Sequence, residues 1–222
     1  MNSMDANLVL ICSNLSAHAL GGIDRAADDL AEPGERPKAR GIRIGFEPLA
    51  SGHHINDHSD AWEVVRRADH SHVGLILDSL HTLSRKIDPY SIRAIPGDKI
   101  FFVRLAYAPL IDMDLLHRSR HVRNMPGEGD VPVLKFTRAV SSTGYAWPLS
   151  LEVFNDQFRG GSLATIARDG HRSPLALMDD VRRSEPDMRP PAPKLLARGV
   201  VSVSSLSNSQ KARPRHWIWR HF

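Results

Sequence analysis

The 222-residue sequence is poor in cysteine and in aromatic side chains, and it has no long apolar run. Its single cysteine, Cys12, excludes an internal disulfide and a cysteine-based zinc site. Because Cys12 follows the apolar residues 8–11, we expect it to be a buried structural thiol. We find no apolar stretch of about 18 residues and no charged-then-apolar signal segment. These absences lead us to expect a cytoplasmic protein with no membrane partner.

The net charge of +4 comes from the carboxyl-terminal end of the chain. From Arg182 onward there are nine Lys or Arg and two Asp or Glu residues, a balance of +7, which leaves −3 for the preceding 181 residues. A nucleic-acid-binding body is normally basic. We therefore expect no nucleic-acid partner.

Strand-like and helix-like patterns alternate along the first 183 residues. The predicted helices cover residues 23–40, 57–68, 89–95, 133–142 and 163–183, and residues 108–129 are predicted to form a long loop. The predicted strands are Asn7–Ser13, Ile42–Glu47, Val73–Asp78, Lys99–Leu105 and Leu149–Phe154. Strict alternation of strands and helices predicts an α/β fold with a parallel sheet of five strands.

Four of these strands have a polar side chain at or near their carboxyl end: Glu47, Asp78, Arg104 and Glu152. In (β/α)8 barrels the chemistry lies at this end of the strands. The three carboxylates are hard oxygen ligands suited to Mg²⁺ or Mn²⁺. A single carboxylate after a strand is more often a helix cap, but three of them favour a shared metal site. Arg104 does not fit this pattern, because a guanidinium has no lone pair for a metal.

Other candidate site residues are histidines and arginines in predicted loops and turns. His81, three residues after Asp78, is a candidate general base or else a packing histidine. His54 could contact a substrate or be an ordinary loop residue. The loop residues Arg120, His121 and Arg123 could bind a substrate carboxylate, since arginine binds carboxylates with two parallel hydrogen bonds. The alternative is a solvated basic loop.

Five segments together resemble the bacterial 3-dehydroshikimate dehydratases, which belong to the sugar phosphate isomerase/epimerase group with xylose-isomerase-like TIM barrels. The similarity runs from about Leu8 to Arg183. The segments are Phe46–Asp57, Leu77–His81, Gly97–Pro109, Ser119–Gly129 and Leu149–Asp156.

The resemblance implies a partial (β/α)8 TIM barrel over residues 1–185, with about five βα units that correspond to strands 4–8. It implies metal-dependent dehydration of 3-dehydroshikimate to protocatechuate, a step of quinate and shikimate breakdown. By resemblance Glu47, Asp78 and Glu152 are metal ligands for Mg²⁺, Mn²⁺ or Co²⁺, and His81 is the base. Arg120 and Arg123 lie in the loop expected to hold the carboxylate substrate.

Arg104 stands where the family pattern has a glutamine ligand. We therefore expect weak metal affinity unless the Arg104 side chain swings away. Two alternatives stay open: a sugar or inositol isomerase or epimerase of the same fold, and an inactive remnant that acts through protein–protein pairing. Open sheet edges would then favour a homo-oligomer or a complementing chain.

Residues 186–222 are predicted to form a separate segment. Pro190–Pro193 has the composition of a linker, and the residues that follow are predicted to be disordered. The tail after about Val203 is interpreted as a frameshift product of a second, dioxygenase-like domain.

Overall fold

The computed structural model describes residues 6–38 and 41–184, and for residues 33–38 it describes the backbone alone. Five parallel strands form one sheet in the order of the sequence. The strands are β1 (Leu8–Cys12), β2 (Arg43–Glu47), β3 (Val73–Asp78), β4 (Ile100–Leu105) and β5 (Leu149–Leu151). The predicted α/β architecture with five parallel strands is confirmed, although β5 ends three residues earlier than expected.

Helices follow the strands along the chain. They are α1 (Ile23–Lys38), α2 (His58–Ala68), α3 (Ser79–Ser84), α4 (Leu115–His121), α5 (Val133–Ser141), α6 (Asp156–Arg159) and α7 (Leu163–Arg183), with 3-10 helices at Pro89–Ala94 and Gly97–Lys99. The prediction of an irregular loop over residues 108–129 was wrong, because this segment contains α4. Asp114 caps α4 by accepting a hydrogen bond from the His117 amide at 2.8 Å. Helix α4 is too short and too polar to show an apolar period.

Helix α2 shows how local sequence fixes an element of this fold. The Asp57 carboxylate accepts hydrogen bonds from the amides of Ser59 (2.7 Å) and Asp60 (3.0 Å) at the start of the helix. An N-cap of this kind satisfies amides that have no partner within the helix. One turn later, Ala61, Val64 and Val65 are buried against the sheet and form the apolar face of α2.

The two faces of the sheet have different roles. Successive residues of a strand point to opposite faces. One face carries apolar side chains that join α2 and α5 in the main core: Ile44, Phe46, Leu75, Leu77, Val103 and Leu105. The residues between them lie on the other face, which we call the inner face, and these include Glu47, Asp78 and Arg104. The strands therefore bury one side in the core and present polar ends on the other.

An irregularity between β3 and β4 decides which side chains share the inner face. Leu75 is paired with Ile100, but Ile76 is paired with Phe102, so the register shifts by one residue. Beyond the shift, Asp78 lies directly opposite Arg104. A shift of one residue exchanges the two faces of a strand. Without it, Arg104 would point toward the helical core.

The predictions made for residues 186–222, a linker and a disordered or frameshifted tail, fall outside the described residues. Within the described ranges, no helix combines the length and the apolar character needed to cross a bilayer.

Candidate active site

The three carboxylates predicted at strand ends meet on the inner face of the sheet. One oxygen atom from each of Glu47, Asp78 and Glu152 lies within 4.8 Å of the others. Glu47 and Asp78 are 1% and 2% exposed, and Glu152 is half-buried. We call these three residues the acidic cluster. Carboxylates gathered this closely form a possible metal site, which is the arrangement that the sequence predicted.

The Arg104 side chain reaches into the acidic cluster from β4. Its Nη1 atom donates to both oxygens of Glu47, at 3.1 and 3.3 Å, and lies 2.7 Å from Oε1 of Glu152. Arg104 thus binds two of the three carboxylates. Charge-assisted hydrogen bonds of this length are among the stronger ones in proteins.

A second arginine, Arg123, approaches the acidic cluster from the segment after α4. Its Nη1 donates to Oδ2 of Asp78 at 2.7 Å and to Oε2 of Glu152 at 2.8 Å. Its Nε and Nη2 donate to the carbonyl and the hydroxyl of Ser119, at 2.7 and 2.9 Å. Because the guanidinium is used by these partners and is 2% exposed, binding a substrate carboxylate would require it to break existing bonds.

Asp78 has two structural roles at once. Its Oδ1 accepts from the amide of Leu80 at 2.7 Å and so caps α3, which begins at the next residue. Its Oδ2 faces Arg123. The two interpretations of a carboxylate after a strand, helix cap and member of a shared site, therefore both hold for this residue.

The protonation of the acidic cluster is set by burial and by the two arginines. Burial raises the pKa of Glu47 to about 8, although Arg104 opposes this shift. Burial also acts to raise the pKa of Asp78, but the charge of Arg123 and its hydrogen bond outweigh it and lower that pKa to about 2. Burial and the charge of Asp78 raise the pKa of Glu152. Asp78 is thus the member that stays ionised most readily.

His81 lies beside the acidic cluster and is neutral near pH 7. Burial lowers its pKa to about 4, despite the nearby charge of Asp78. Its Nδ1 accepts a hydrogen bond from the amide of Ala50 at 3.1 Å. This contact assigns the proton of the neutral ring to Nε2, which lies 3.4 Å from Nη2 of Arg123. The ring can therefore donate from Nε2, and accepting a proton there requires the other tautomer.

The remaining predicted site residues are not all at the acidic cluster. Arg120 lines the same cavity as Glu47, His81, Arg104 and Glu152. His54 lines a neighbouring cavity next to α1, and its Nε2 is 2.8 Å from the carbonyl of Ala19. His121 is half-buried and pairs with Asp156 at 2.9 Å. Roles for these three residues in substrate binding stay predictions.

Cys12 corrects an expectation from the sequence. The residue is exposed at the end of β1, because β1 is the outermost strand of the described sheet. Its thiol donates to Oε2 of Glu47 at 3.6 Å. Although the residue as a whole is exposed, its sulfur is partly shielded from water beside Glu47; this desolvation and the charge of Glu47 raise the pKa of the thiol to about 12, so the thiol stays protonated.

Two residues that the sequence did not single out hold Arg123 in place. Ser119 on α4 accepts from its guanidinium, as described above. Asn155 donates from Nδ2 to the backbone carbonyl of Arg123 at 3.1 Å and caps α6 with its Oδ1. The sequence signal for Asn155 is its capping position before α6; Ser119 has no comparable signal.

The residues of the acidic cluster fit a divalent cation in their chemistry but not in their present arrangement. Three closely spaced carboxylates are the hard donors that such a cation prefers. However, Nη1 of Arg104 already lies among the oxygens of Glu47 and Glu152, where a shared cation would have to bind. As it stands, the positive charge in the acidic cluster is supplied by arginine.

A parallel sheet with a polar site at its carboxyl edge is typical of α/β enzymes, both barrels and doubly wound sheets, and comparison with known proteins decides between the two. The model of the xylose isomerase-like TIM barrel family matches residues 1–178, and the chain belongs to this family. It is 49% identical over 197 residues to a 3-dehydroshikimate dehydratase of Pseudomonas putida, covering 88% of this chain and 31% of that protein. It is 44% identical over 230 residues to the 3-dehydroshikimate dehydratase of Pseudomonas aeruginosa, covering 99% of this chain and 36% of that protein.

A solved structure resembles this chain at a similar level. It is a xylose isomerase-like TIM barrel/4-hydroxyphenylpyruvate dioxygenase fusion protein, with a TM-score of 0.78 and 50% identity, over 81% of this chain and 29% of that one. The chain spans about a third of the length of the two Pseudomonas dehydratases that it matches.

Proposed function

We propose that the site at the carboxyl edge of the sheet is that of a 3-dehydroshikimate dehydratase, a hydro-lyase. The observation that carries the proposal is the 49% identity to a protein with that name. The cluster of buried carboxylates, a neutral histidine and arginines supports it. Because the chain spans about a third of that protein, the activity of this chain is itself part of the proposal.

The reaction would convert a ring ketone into an aromatic product. Removal of a proton next to the ketone and loss of a hydroxyl group as water give protocatechuate. His81 is the group suited to give a proton to the departing hydroxyl, since it is buried, neutral, next to the cavity and protonated at Nε2. To remove the proton next to the ketone it would first have to adopt its other tautomer. The cation of Arg120 lines the cavity outside the acidic cluster and favours a carboxylate substrate.

The proposal is tested by incubating the purified chain with 3-dehydroshikimate and following protocatechuate by chromatography. We expect His81→Ala to lower turnover by about 10²–10⁴-fold, the usual contribution of a positioned acid or base. The matched control is His18→Ala, because His18 is exposed, lies in a turn within the β1–α1 connection and does not line the cavity of the acidic cluster. Equal rates for the two variants would contradict the role of His81.

The same assay addresses the metal and the alternative reactions. Adding Mg²⁺, Mn²⁺ or Co²⁺ in turn shows which cation, if any, increases turnover. A chain that isomerises a sugar or inositol ketone but leaves 3-dehydroshikimate unchanged would replace this proposal with the isomerase alternative. A folded chain with neither activity would favour the inactive remnant.

A further inference from the structure

One nitrogen atom in the acidic cluster is placed as a bound cation would be. Nη1 of Arg104 has three carboxylate oxygens within 3.3 Å, two from Glu47 and one from Glu152. We propose that Arg104 takes the place of a divalent metal in this protein, and that it is the residue that keeps metal affinity low. This inference concerns the binding property of the acidic cluster, so it does not depend on which reaction the site catalyses.

The charge balance of the site supports the proposal. When fully ionised, the acidic cluster carries three negative charges, and Arg104 and Arg123 together leave a net charge of −1. A divalent cation added to this set would change the net charge to +1. A neutral residue at position 104 would leave −2, which a divalent cation would neutralise.

The expected size of the effect follows from simple electrostatics. A divalent cation about 4 Å from the guanidinium charge is repelled by about 8 kcal/mol at an effective dielectric constant of 20, and even half of this repulsion corresponds to about a thousandfold in affinity. Replacing Arg104 by a neutral residue should therefore strengthen divalent metal binding by two to three orders of magnitude, that is ~100- to ~1,000-fold.

The backbone holds Arg104 in this position. Arg104 is paired with Asp78 of β3 and with Ser150 of β5, so it lies inside the sheet with a neighbour on each side. Its side chain is 19% exposed and therefore mostly buried on the inner face. To make room for a metal, the guanidinium would have to give up Glu47 and Glu152 and move into the open part of the cavity.

The test compares metal binding by the full chain and by Arg104→Gln, without any substrate. Each protein is stripped with a chelator and titrated with Mn²⁺, using calorimetry and the electron paramagnetic resonance signal of free Mn²⁺. Thermal unfolding is measured with and without the metal. We expect the unchanged chain to bind weakly and to show no metal-dependent shift, and Arg104→Gln to bind at least ~100-fold more tightly and to melt higher with Mn²⁺.

Three further variants make the result specific. Arg104→Lys keeps the positive charge and should stay weak. Arg120→Gln removes a cation from the same cavity outside the acidic cluster and should gain much less than Arg104→Gln. Adding Asp78→Asn to Arg104→Gln should abolish the gain, which would locate the metal in the acidic cluster.

The proposal has clear points of failure. It is overturned if the unchanged chain binds Mn²⁺ within about tenfold of Arg104→Gln, since the estimated repulsion predicts a far larger difference. If Arg104→Gln does not fold, Arg104→Met removes the charge while keeping apolar bulk, and a folded Arg104→Met that gains no affinity overturns it as well. A dehydratase assay that fails while Arg104→Gln gains metal would overturn the proposed function and leave this inference standing.

Discussion

Removal of the Arg123 guanidinium is the perturbation whose cost the structure defines best. Arg123→Met keeps much of the side-chain length but leaves two carboxylates without their cation. Asp78, whose side chain is 0% exposed, would lose a partner at 2.7 Å, and Glu152 would lose one at 2.8 Å. Breaking a buried ion pair from one side typically costs about 3–5 kcal/mol.

This loss is large compared with the stability of an ordinary domain, which is about 5–15 kcal/mol. We expect urea unfolding, followed by circular dichroism at pH 7, to show a decrease of at least ~3 kcal/mol for Arg123→Met. The matched control is Arg182→Met, because Arg182 pairs with Asp179 at 2.8 Å on the surface, where both side chains are more than half exposed. An exposed pair contributes about 0–1 kcal/mol, so this control should change stability little.

A second substitution separates charge from packing in this prediction. If the cost comes from an unpaired buried carboxylate, adding Asp78→Asn to Arg123→Met should recover part of the lost stability. Asn can still cap α3, since asparagine is as good an N-cap as aspartate. The reasoning is refuted if Arg123→Met costs no more than Arg182→Met, or if Asp78→Asn simply adds to the loss.

Three other measurements test separate parts of the structure. Because burial raises the pKa of Glu47 to about 8 from its ordinary 4.5, the folded protein keeps a proton that the unfolded chain releases. The stability that this group contributes is thus fully present below pH 4.5 and is lost as the pH rises to about 8, by up to ~1.4 kcal/mol per pH unit. In urea unfolding measured at a series of pH values, Glu47→Gln should flatten this decline in the free energy of unfolding. Asp57→Ala should cost about 1 kcal/mol by removing the cap of α2, whereas Asp57→Ser should cost less, and equal losses would contradict the capping role. Phe136→Ala, at a fully buried position of α5, should cost about 3–5 kcal/mol in the same assay, and a loss below ~1 kcal/mol would mean that the core repacks around it.

The parts of the fold that were predictable from sequence are those with a strong period or a buried run. Strand β3 was predicted with its observed bounds because all six of its residues are buried, which leaves a continuous apolar run ended by Asp78. Helix α7 was predicted with its observed bounds as well. Helix α4 was missed because its stability comes from its cap and from tertiary contacts such as the one between Ser119 and Arg123.

The composition of the site was predictable in part, for a physical reason. Parallel strands place their carboxyl ends at one edge, so the position of Glu47, Asp78 and Glu152 at the ends of successive strands was enough to predict that they lie together. Whether Arg104 points inward depends on the register shift between β3 and β4, and a one-residue shift leaves no mark in the hydrophobic pattern. For Arg123 the sequence predicted a substrate-binding loop residue, whereas the structure pairs it with Asp78 and Glu152.

The two arginines also make the stability of the acidic cluster independent of a bound metal. Three carboxylates gathered on the inner face repel one another, so the folded chain needs positive charge there. Arg123 supplies it to Asp78 and Glu152, and Arg104 supplies it to Glu47 and Glu152, so each arginine bridges two carboxylates and Glu152 is shared. Because both cations are part of the polypeptide, the acidic cluster can stay folded without a metal. A chelator should therefore leave the melting temperature of the unchanged chain where it is, and a melting temperature that falls on chelation would contradict this reasoning.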